Sequence, residues 1–265
     1  MKLIQPSFEI FPSDIEVSNI ENMIRKIESA ARLCYKTEDC CRDTIEESAR
    51  WIANIALDRK HESILEHGNI GVNFVFDRGV SHELVRHRIG TAFSQESTRY
   101  CNYSKDKFDN EISVIQPFFF DPMEEGKYIN VPSMKLREID KNPELGIGTD
   151  IKIGHKMNSF DVWFLGCLWS EWSYNTLINT FEASPQEARS VLPNSLKTEI
   201  RVTMNLRSLR HMLSLRAIGT TGKPHPQIQQ VMLPLLKELS NKIPVLFDDL
   251  VEEAEKRGLF NKCLN

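Results

Sequence analysis

The stretch from Val85 to Tyr103, VRHRIGTAFSQESTRYCNY, limits what this chain can do more than any other. It holds Arg86, His87, Arg88 and Arg99, with Thr91, Ser94, Gln95, Ser97 and Thr98 between them. It offers few apolar side chains to bury, so packing does not account for it. Clustered guanidiniums repel one another unless an anion is bound or carboxylates lie nearby. Glu83 and Glu96 are the only local carboxylates. A solvated charged loop is one reading. The interleaved hydroxyl and amide donors favour another: bidentate recognition of phosphate and of carbonyl-rich heterocycles.

The flanking sequence supplies a scaffold. Ile70, Val72, Phe74 and Phe76 alternate with smaller or polar residues, which predicts a half-buried strand. Val80 to Val85 reads as a short helix leading into the cationic stretch. Glu199 to Met204 alternates again, and Asn205 is a plausible N-cap for a helix with Leu206, Leu209 and Leu213 on its core face. Ser18 to Glu21 reads as a capping box opening a helix that ends near Cys34-Tyr35. Further helices are expected over 43–60 and 153–181, and from Ser184-Pro185, which carries Arg189. A last one should start near Pro226, kink at Pro234 and continue toward Pro244. Residues 3–12 suit a strand or an irregular arm, and Ile112 to Ile115 a strand. The polar run Glu124 to Asp150 looks like a surface excursion. The expectation is an α/β or α+β fold. It forms one domain over 1–265 with a variable excursion at about 104–154, and its central mixed or antiparallel sheet is flanked by helices. None of the 12 glycines sits in a G-x-G-x-x-G or Walker pattern, so a Rossmann site is not expected.

Composition excludes several classes. A net charge of −4 and a pI near 6.0 do not suit a general binder of nucleic acid or anionic membrane. Any anionic ligand must be held by a local arginine cluster. The six cysteines show no paired ligand spacing, which suggests reduced thiols in a cytoplasmic protein. The N-terminus lacks signal-peptide character, and no apolar run approaches the roughly 20 residues that span a bilayer. His61-Glu62-Ser63-Ile64-Leu65-Glu66-His67 suggests metal ligation at first sight, but HExxH is absent and no metal is expected.

Arg86-His87-Arg88, followed by Ser97-Thr98-Arg99-Tyr100, resembles the signature of the flavin-dependent thymidylate synthases. That signature is Arg-His-Arg, seven residues, then Ser. Here Ile89 to Glu96 make eight, which suggests one inserted residue near Ala92-Phe93. Three further segments share the resemblance: HESILEH, EARSVLP and NLRSLRHMLSLRA. The resemblance implies methylation of dUMP to dTMP, with methylenetetrahydrofolate as carbon donor and NADPH as reductant, both acting through FAD. It also implies a homotetramer with shared sites. It assigns His61, Ser63, Arg86, His87, Arg88, Gln95, Asn205, Arg207 and His211 to the flavin. Glu83, Arg86, Gln95, Glu96, Ser97, Arg99, Arg189 and Arg216 go to the nucleotide. Arg99 and Arg189 would clamp its phosphate, and Arg216 would act catalytically at uracil. Glu83 departs from the family's usual residue.

Arg216 lies nine residues beyond Arg207, on the opposite face of a regular helix at about 100° per residue. Either the helix ends near Arg216, as Gly219 to Gly222 suggests, or it serves two pockets in an oligomer. Two rival readings use the same arginines: a flavin-free enzyme, or a binding protein, for a phosphorylated nucleotide.

Overall fold

In chain order the elements begin with strands β1 (Lys2–Ile4) and β2 (Ser7–Ile10), then helices α1 (Val17–Tyr35) and α2 (Ile45–Ala53). Strand β3 (Asn69–Asp77), helix α3 (Arg78–Leu84) and strands β4 (Thr91–Gln95) and β5 (Ser113–Ile115) follow. After β6 (Ile129–Asn130) and β7 (Lys156–Met157) come α4 (Ser159–Asn179), α5 (Pro185–Ala188) and strand β8 (Lys197–Asn205). Helices α6 (Leu206–Leu213), α7 (Pro226–Lys242) and α8 (Pro244–Lys256) close the chain. The computed structural model describes residues 1–120, 129–130 and 156–260. The expected excursion over Glu124 to Asp150 lies almost wholly outside them.

The chain divides into two compact units, Met1–Gln5 with Ser97–Lys197 and Pro6–Glu96 with Thr198–Asn265. The second unit is built on a four-stranded sheet in the order β2-β3-β8-β4, with β2–β3 and β4–β8 antiparallel. Its alternating residues divide as the sequence predicts. Ile70, Val72, Phe74 and Phe76 of β3 and Ile200, Val202 and Met204 of β8 are buried in one core. That core also takes Ile24 and Ile27 of α1, Leu209 and Leu213 of α6, and Leu235, Leu236 and Leu239 of α7. The fold is thus a mixture of helix and sheet without a Rossmann arrangement.

The first unit pairs β1 with β5 in parallel and packs α4 against a smaller core of Tyr103, Ile112, Val114, Tyr174 and Leu196. α4 is unusual: tryptophan, phenylalanine, leucine and valine appear on every face, yet only Cys167 and Tyr174 are buried. Val162 and Trp169 are exposed. No helix among the described residues is long and apolar enough to cross a membrane.

Several boundaries depart from expectation. The Ser18–Glu21 capping box does not form, because α1 begins two residues earlier from an uncapped Glu16. Thr44 with Glu47 instead makes the box that opens α2. The helix expected over 43–60 is α-helical only to Ala53 and continues as a π-turn, Asn54–Asp58. Lys156–Met157 is strand, and an Asn158–Asp161 box sets the start of α4. Thr91–Gln95, inside the cationic stretch, forms an edge strand that was not expected. Its ladder runs without interruption from Thr91↔Met204 to Gln95↔Ile200, so no bulge sits at Ala92-Phe93. Pro234 is accommodated inside α7.

The Glu28 carboxylate of a buried ion pair within α1 fastens that helix to Ser48 of α2 and to the Arg42 amide before it. The Arg32 Nε and Nη2 atoms donate to one Glu28 oxygen at 2.9 and 2.8 Å, and Ser48 Oγ donates to the other at 2.6 Å. Burial pushes the Glu28 carboxyl up, but these bonds and the Arg42 amide outweigh it and hold the group below its ordinary value. Its contribution is therefore present above the usual carboxylate range and lost as pH falls through the depressed value. Glu28→Gln should cost about 3 kcal/mol in urea unfolding, since it leaves Arg32 buried without its partner. An unchanged midpoint would show that the pair adds nothing.

Candidate active site

Two parallel devices in the 6–96/198–265 unit deliver most of the candidate residues. Strand β3 ends at Asp77, whose carboxylate accepts from the Val80 amide at 2.7 Å and caps α3. The helix then carries Glu83 on its last turn and runs into Arg86-His87-Arg88. Strand β8 ends at Asn205, whose Oδ1 accepts from the Ser208 amide at 2.8 Å and caps α6, as expected. This helix carries Arg207 and His211, then widens into a π-turn, Ser214–Ile218, that contains Arg216. Gly219, at φ 76°, ends it.

The two chain ends meet at Arg216. Its Nη1 donates to Glu83 Oε2 at 2.6 Å, and its Nη2 to the Glu83 carbonyl at 3.3 Å. Its Nε donates to His87 Nε2 at 3.2 Å. His87 is therefore an acceptor at Nε2, which assigns its proton to Nδ1. The ring lies edge-on to His211, with centroids 6.2 Å apart. Burial first, then the charges of Arg216, His211 and Arg86, push His87 down to about 4. At neutral pH it is an uncharged imidazole among cations.

The other candidates in this unit have definite places. Arg86 and Arg88 are exposed, and no carboxylate among the described residues pairs with them. Arg207 is clasped by Glu66 at 2.7 Å and Glu62 at 3.4 Å. His61 Nδ1 shares a hydrogen bond of 2.8 Å with the Tyr35 hydroxyl, and Ser63 is exposed on the 3-10 turn Glu62–His67. The Gln95 amide donates to Ser81 Oγ at 2.9 Å and Thr198 Oγ1 at 3.1 Å, so it braces the sheet against α3. Glu96 accepts from the Glu199 amide at 3.3 Å. Gly90 has φ +63°, and a Cβ there would lie 2.0 Å from Asn205 Nδ2. No larger residue lets this loop approach Asn205 so closely.

Ser97, Arg99 and Arg189 belong to the other unit. The Arg99 amide donates to Ser97 Oγ at 3.3 Å. Arg99 reaches Gln186 Oε1 and Arg189 reaches Thr98 Oγ1, both at 3.4 Å. The Ser184–Glu187 capping box forms as expected and sets the turn that carries Arg189. Neither guanidinium has a carboxylate partner among the described residues.

Sequence reasoning assigned no site role to Tyr35, Glu62 or Glu66. The four-residue spacing of the two glutamates was a visible signal that they could share one partner. Between Arg207 and Arg216 the helix does not stay regular. The π-turn, closed by Gly219 N to Ser214 O at 3.0 Å, changes the angular step before the helix ends. The two arginines take different partners.

Comparison with known proteins identifies the family. The family model described as thymidylate synthase complementing protein matches residues 17–245. The chain belongs to that family, the flavin-dependent thymidylate synthases. The flavin-dependent thymidylate synthase of Corynebacterium glutamicum is 28% identical over 252 residues, covering 93% of this chain and 88% of that protein. The one from Clostridium tetani is 26% identical over 249 residues, covering 85% and 81%. In fold, the chain resembles thymidylate synthase X from Helicobacter pylori, solved with FAD and dUMP. That match has a TM-score of 0.59 at 20% identity, over 92% of this chain and 97% of that one. It also resembles the UMP/dUMP methylase PolB from Streptomyces cacaoi, solved with 5-Br dUMP. Here the TM-score is 0.64 at 20% identity, over 95% and 97%.

The depressed His87 value has a measurable consequence. Between the ordinary histidine value and about 4, the unfolded chain binds a proton that the folded chain does not. Through this group, stability falls as pH drops through that window. A nitrogen-15 NMR titration should find His87 neutral at pH 6. Arg216→Ala should move its midpoint upward, and an unmoved midpoint would detach His87 from Arg216.

Proposed function

We propose that this methyltransferase makes dTMP by reductive methylation of dUMP, taking the carbon from methylenetetrahydrofolate and the reducing hydride from NADPH through FAD. The family match over residues 17–245 carries the proposal. The donor set fits a diphosphate cofactor: Arg86 and Arg88 are exposed guanidiniums without carboxylate partners, beside an uncharged His87. When bound, FAD would supply the hydride-transfer chemistry. Arg86 and Arg88 would bind its diphosphate, with His61, Ser63, His87, Gln95, Asn205, Arg207 and His211 as further contacts. A flavoprotein is yellow. Purified protein should absorb in the visible blue, and Arg88→Ala should lose most of that flavin. Colourless protein that fails to take up FAD would instead favour a flavin-free nucleotide enzyme or binding protein.

For the nucleotide, Arg99 and Arg189 would take the phosphate, and Glu83, Arg86, Gln95, Glu96 and Ser97 would complete its surroundings. Arg216 uses three of its five N–H donors on Glu83 and His87, which fixes its orientation and leaves two. Those two would face the uracil carbonyls and gain strength as the ring acquires negative charge. Glu83 tempers the charge of Arg216, and neutral His87 adds none. No histidine or carboxylate among the described residues hydrogen-bonds Ser97 Oγ, so a covalent serine route lacks its base. Cys167 is no substitute, since burial pushes its thiol up to about 11.

These roles separate in kinetics. Arg216→Ala should fold and bind flavin but lose about two to three orders of magnitude in turnover, the usual effect of removing one charge-stabilising donor. Arg189→Ala should mainly raise the KM for dUMP, because phosphate binding changes little along the reaction. Near-normal turnover of Arg216→Ala at saturating dUMP would sink the assignment.

We also propose a homotetramer. A helix apolar on every face needs burial on every face, and α4 leaves Val162 and Trp169 exposed. Light scattering should give four copies, and a fully active monomer would argue against it. A cytoplasmic location fits the free, exposed thiols of Cys34, Cys40 and Cys41, which alkylation in fresh lysate would test.

A further inference from the structure

A hollow of about 630 Å³ opens between the C-terminal turns of α1 and the outer face of α2, apart from the residues given roles above. Its size lies within the roughly 300–1,000 Å³ of small-molecule sites. Four arginines line it, Arg32, Arg42, Arg50 and Arg59, against one carboxylate, Glu47. Arg32 is neutralised from beneath by Glu28. Four cations less these two carboxylates leave two positive charges uncompensated, on a chain whose net charge is −4. The Glu47 carboxylate is also engaged by the Thr44 amide in the cap of α2. No carboxylate among the described residues pairs with Arg42, Arg50 or Arg59.

The hollow is built rather than incidental. The π-turn Asn54–Asp58 interrupts α2 at its edge, and the Arg59 amide closes that turn on the Asn54 carbonyl at 3.0 Å. Such turns are concentrated at functional sites. The aromatic lining is Trp51, with Arg32 stacked 4.3 Å from its centroid, and Tyr35, edge-on to Trp51 at 6.5 Å. The Tyr35 hydroxyl bonds His61, which ties the hollow to a residue assigned above to the flavin. Uncompensated, fork-shaped donors beside an aromatic ledge suit a ligand that joins a flat ring to a polyanionic end.

We propose that this hollow binds the polyanionic end of an aromatic co-substrate, with the anion on Arg42, Arg50 and Arg59 and the adjoining ring against Tyr35 and Trp51. The inference rests on the proposed reaction, which uses two such compounds. The phosphates of NADPH and the glutamyl carboxylates of the folate share the required chemistry.

The test uses the flavin-loaded protein with Arg50→Gln and Arg59→Gln, singly and together. The double variant should raise the KM for one co-substrate at least about tenfold, a loss of about 1.4 kcal/mol. Flavin content and the KM for dUMP should hold. The source is then read by trimming the ligand's charge. If the dinucleotide occupies the hollow, NADH should be penalised against NADPH in the wild type and much less in the double variant. If the folate does, the monoglutamate should be penalised against the triglutamate in the same way. Unchanged KM values for both co-substrates would overturn the proposal. Calorimetric titration with inorganic tripolyphosphate reads the hollow without turnover. Binding to the wild type that is lost in the double variant supports the proposal, whereas no binding, or equal binding to both, overturns it. Wild-type protein that holds no flavin and methylates no dUMP would remove the proposed reaction, and the tripolyphosphate result would still decide whether the hollow takes anions.

Discussion

The grip of Glu83 and His87 on the Arg216 guanidinium is the interaction on which the candidate site depends. A guanidinium at the end of a helix has many rotamers, and each of its donors would otherwise face water. Three bonds to residues 129 and 133 positions away in sequence select one orientation. They also join the end of α3 to the end of α6, so the Arg86-His87-Arg88 segment and the π-turn are positioned together. The pairing further sets the charge balance. Glu83 offsets part of the repulsion between Arg216 and its cationic neighbours, and burial first, then the charges of Arg216, His211 and Arg86, keep His87 neutral.

That grip in turn rests on a repeated local arrangement. β3 and β8 are neighbours in the sheet, and each ends in an Asx residue that caps the helix following it at once. The cap satisfies an orphan amide and turns the chain sharply off the strand. Because both strands anchor their apolar faces in one core, the two helices leave it from adjacent strands. Gly90 then lets the return loop pass against Asn205, where any side chain would collide with the amide. The site is held by rigid elements on one side and a glycine-dependent close approach on the other.

The carboxylates act as placeholders throughout. Glu62 and Glu66 occupy Arg207, Glu28 occupies Arg32, and Glu83 occupies Arg216. Among the described cations without such partners are Arg86 and Arg88 in one unit, Arg99 and Arg189 in the other, and Arg42, Arg50 and Arg59 in the hollow, and these are the ones proposed to meet anions. A chain of net negative charge can thus hold anionic ligands, because its acidic groups are withheld from a few chosen guanidiniums.

Much of this was legible in the residue order. Alternation over 70–76 and 199–204 fixed which strand faces are buried, since the side-chain period of a strand is two. Asn205 could be read as a cap because capping is a contact over three residues. The same holds for the Ser184–Glu187 box, and the Arg-His-Arg and Ser-Thr-Arg-Tyr motifs are each contiguous. The Ser18–Glu21 box was misread for a related reason. The same short pattern fits either the cap or the first turn, and only the register of α1 against the core chooses between them. The edge strand β4 escaped notice because its pairing with β8 supplies the hydrogen bonds that its own five residues do not announce. The partners in the long-range ion pairs were out of reach. The sequence by itself determined which residues could carry charge, cap a helix or line a core. Only the tertiary structure decided which carboxylate meets which arginine, because partners more than a hundred residues apart are brought within 3 Å by strand order, and strand order is a property of the whole packed chain.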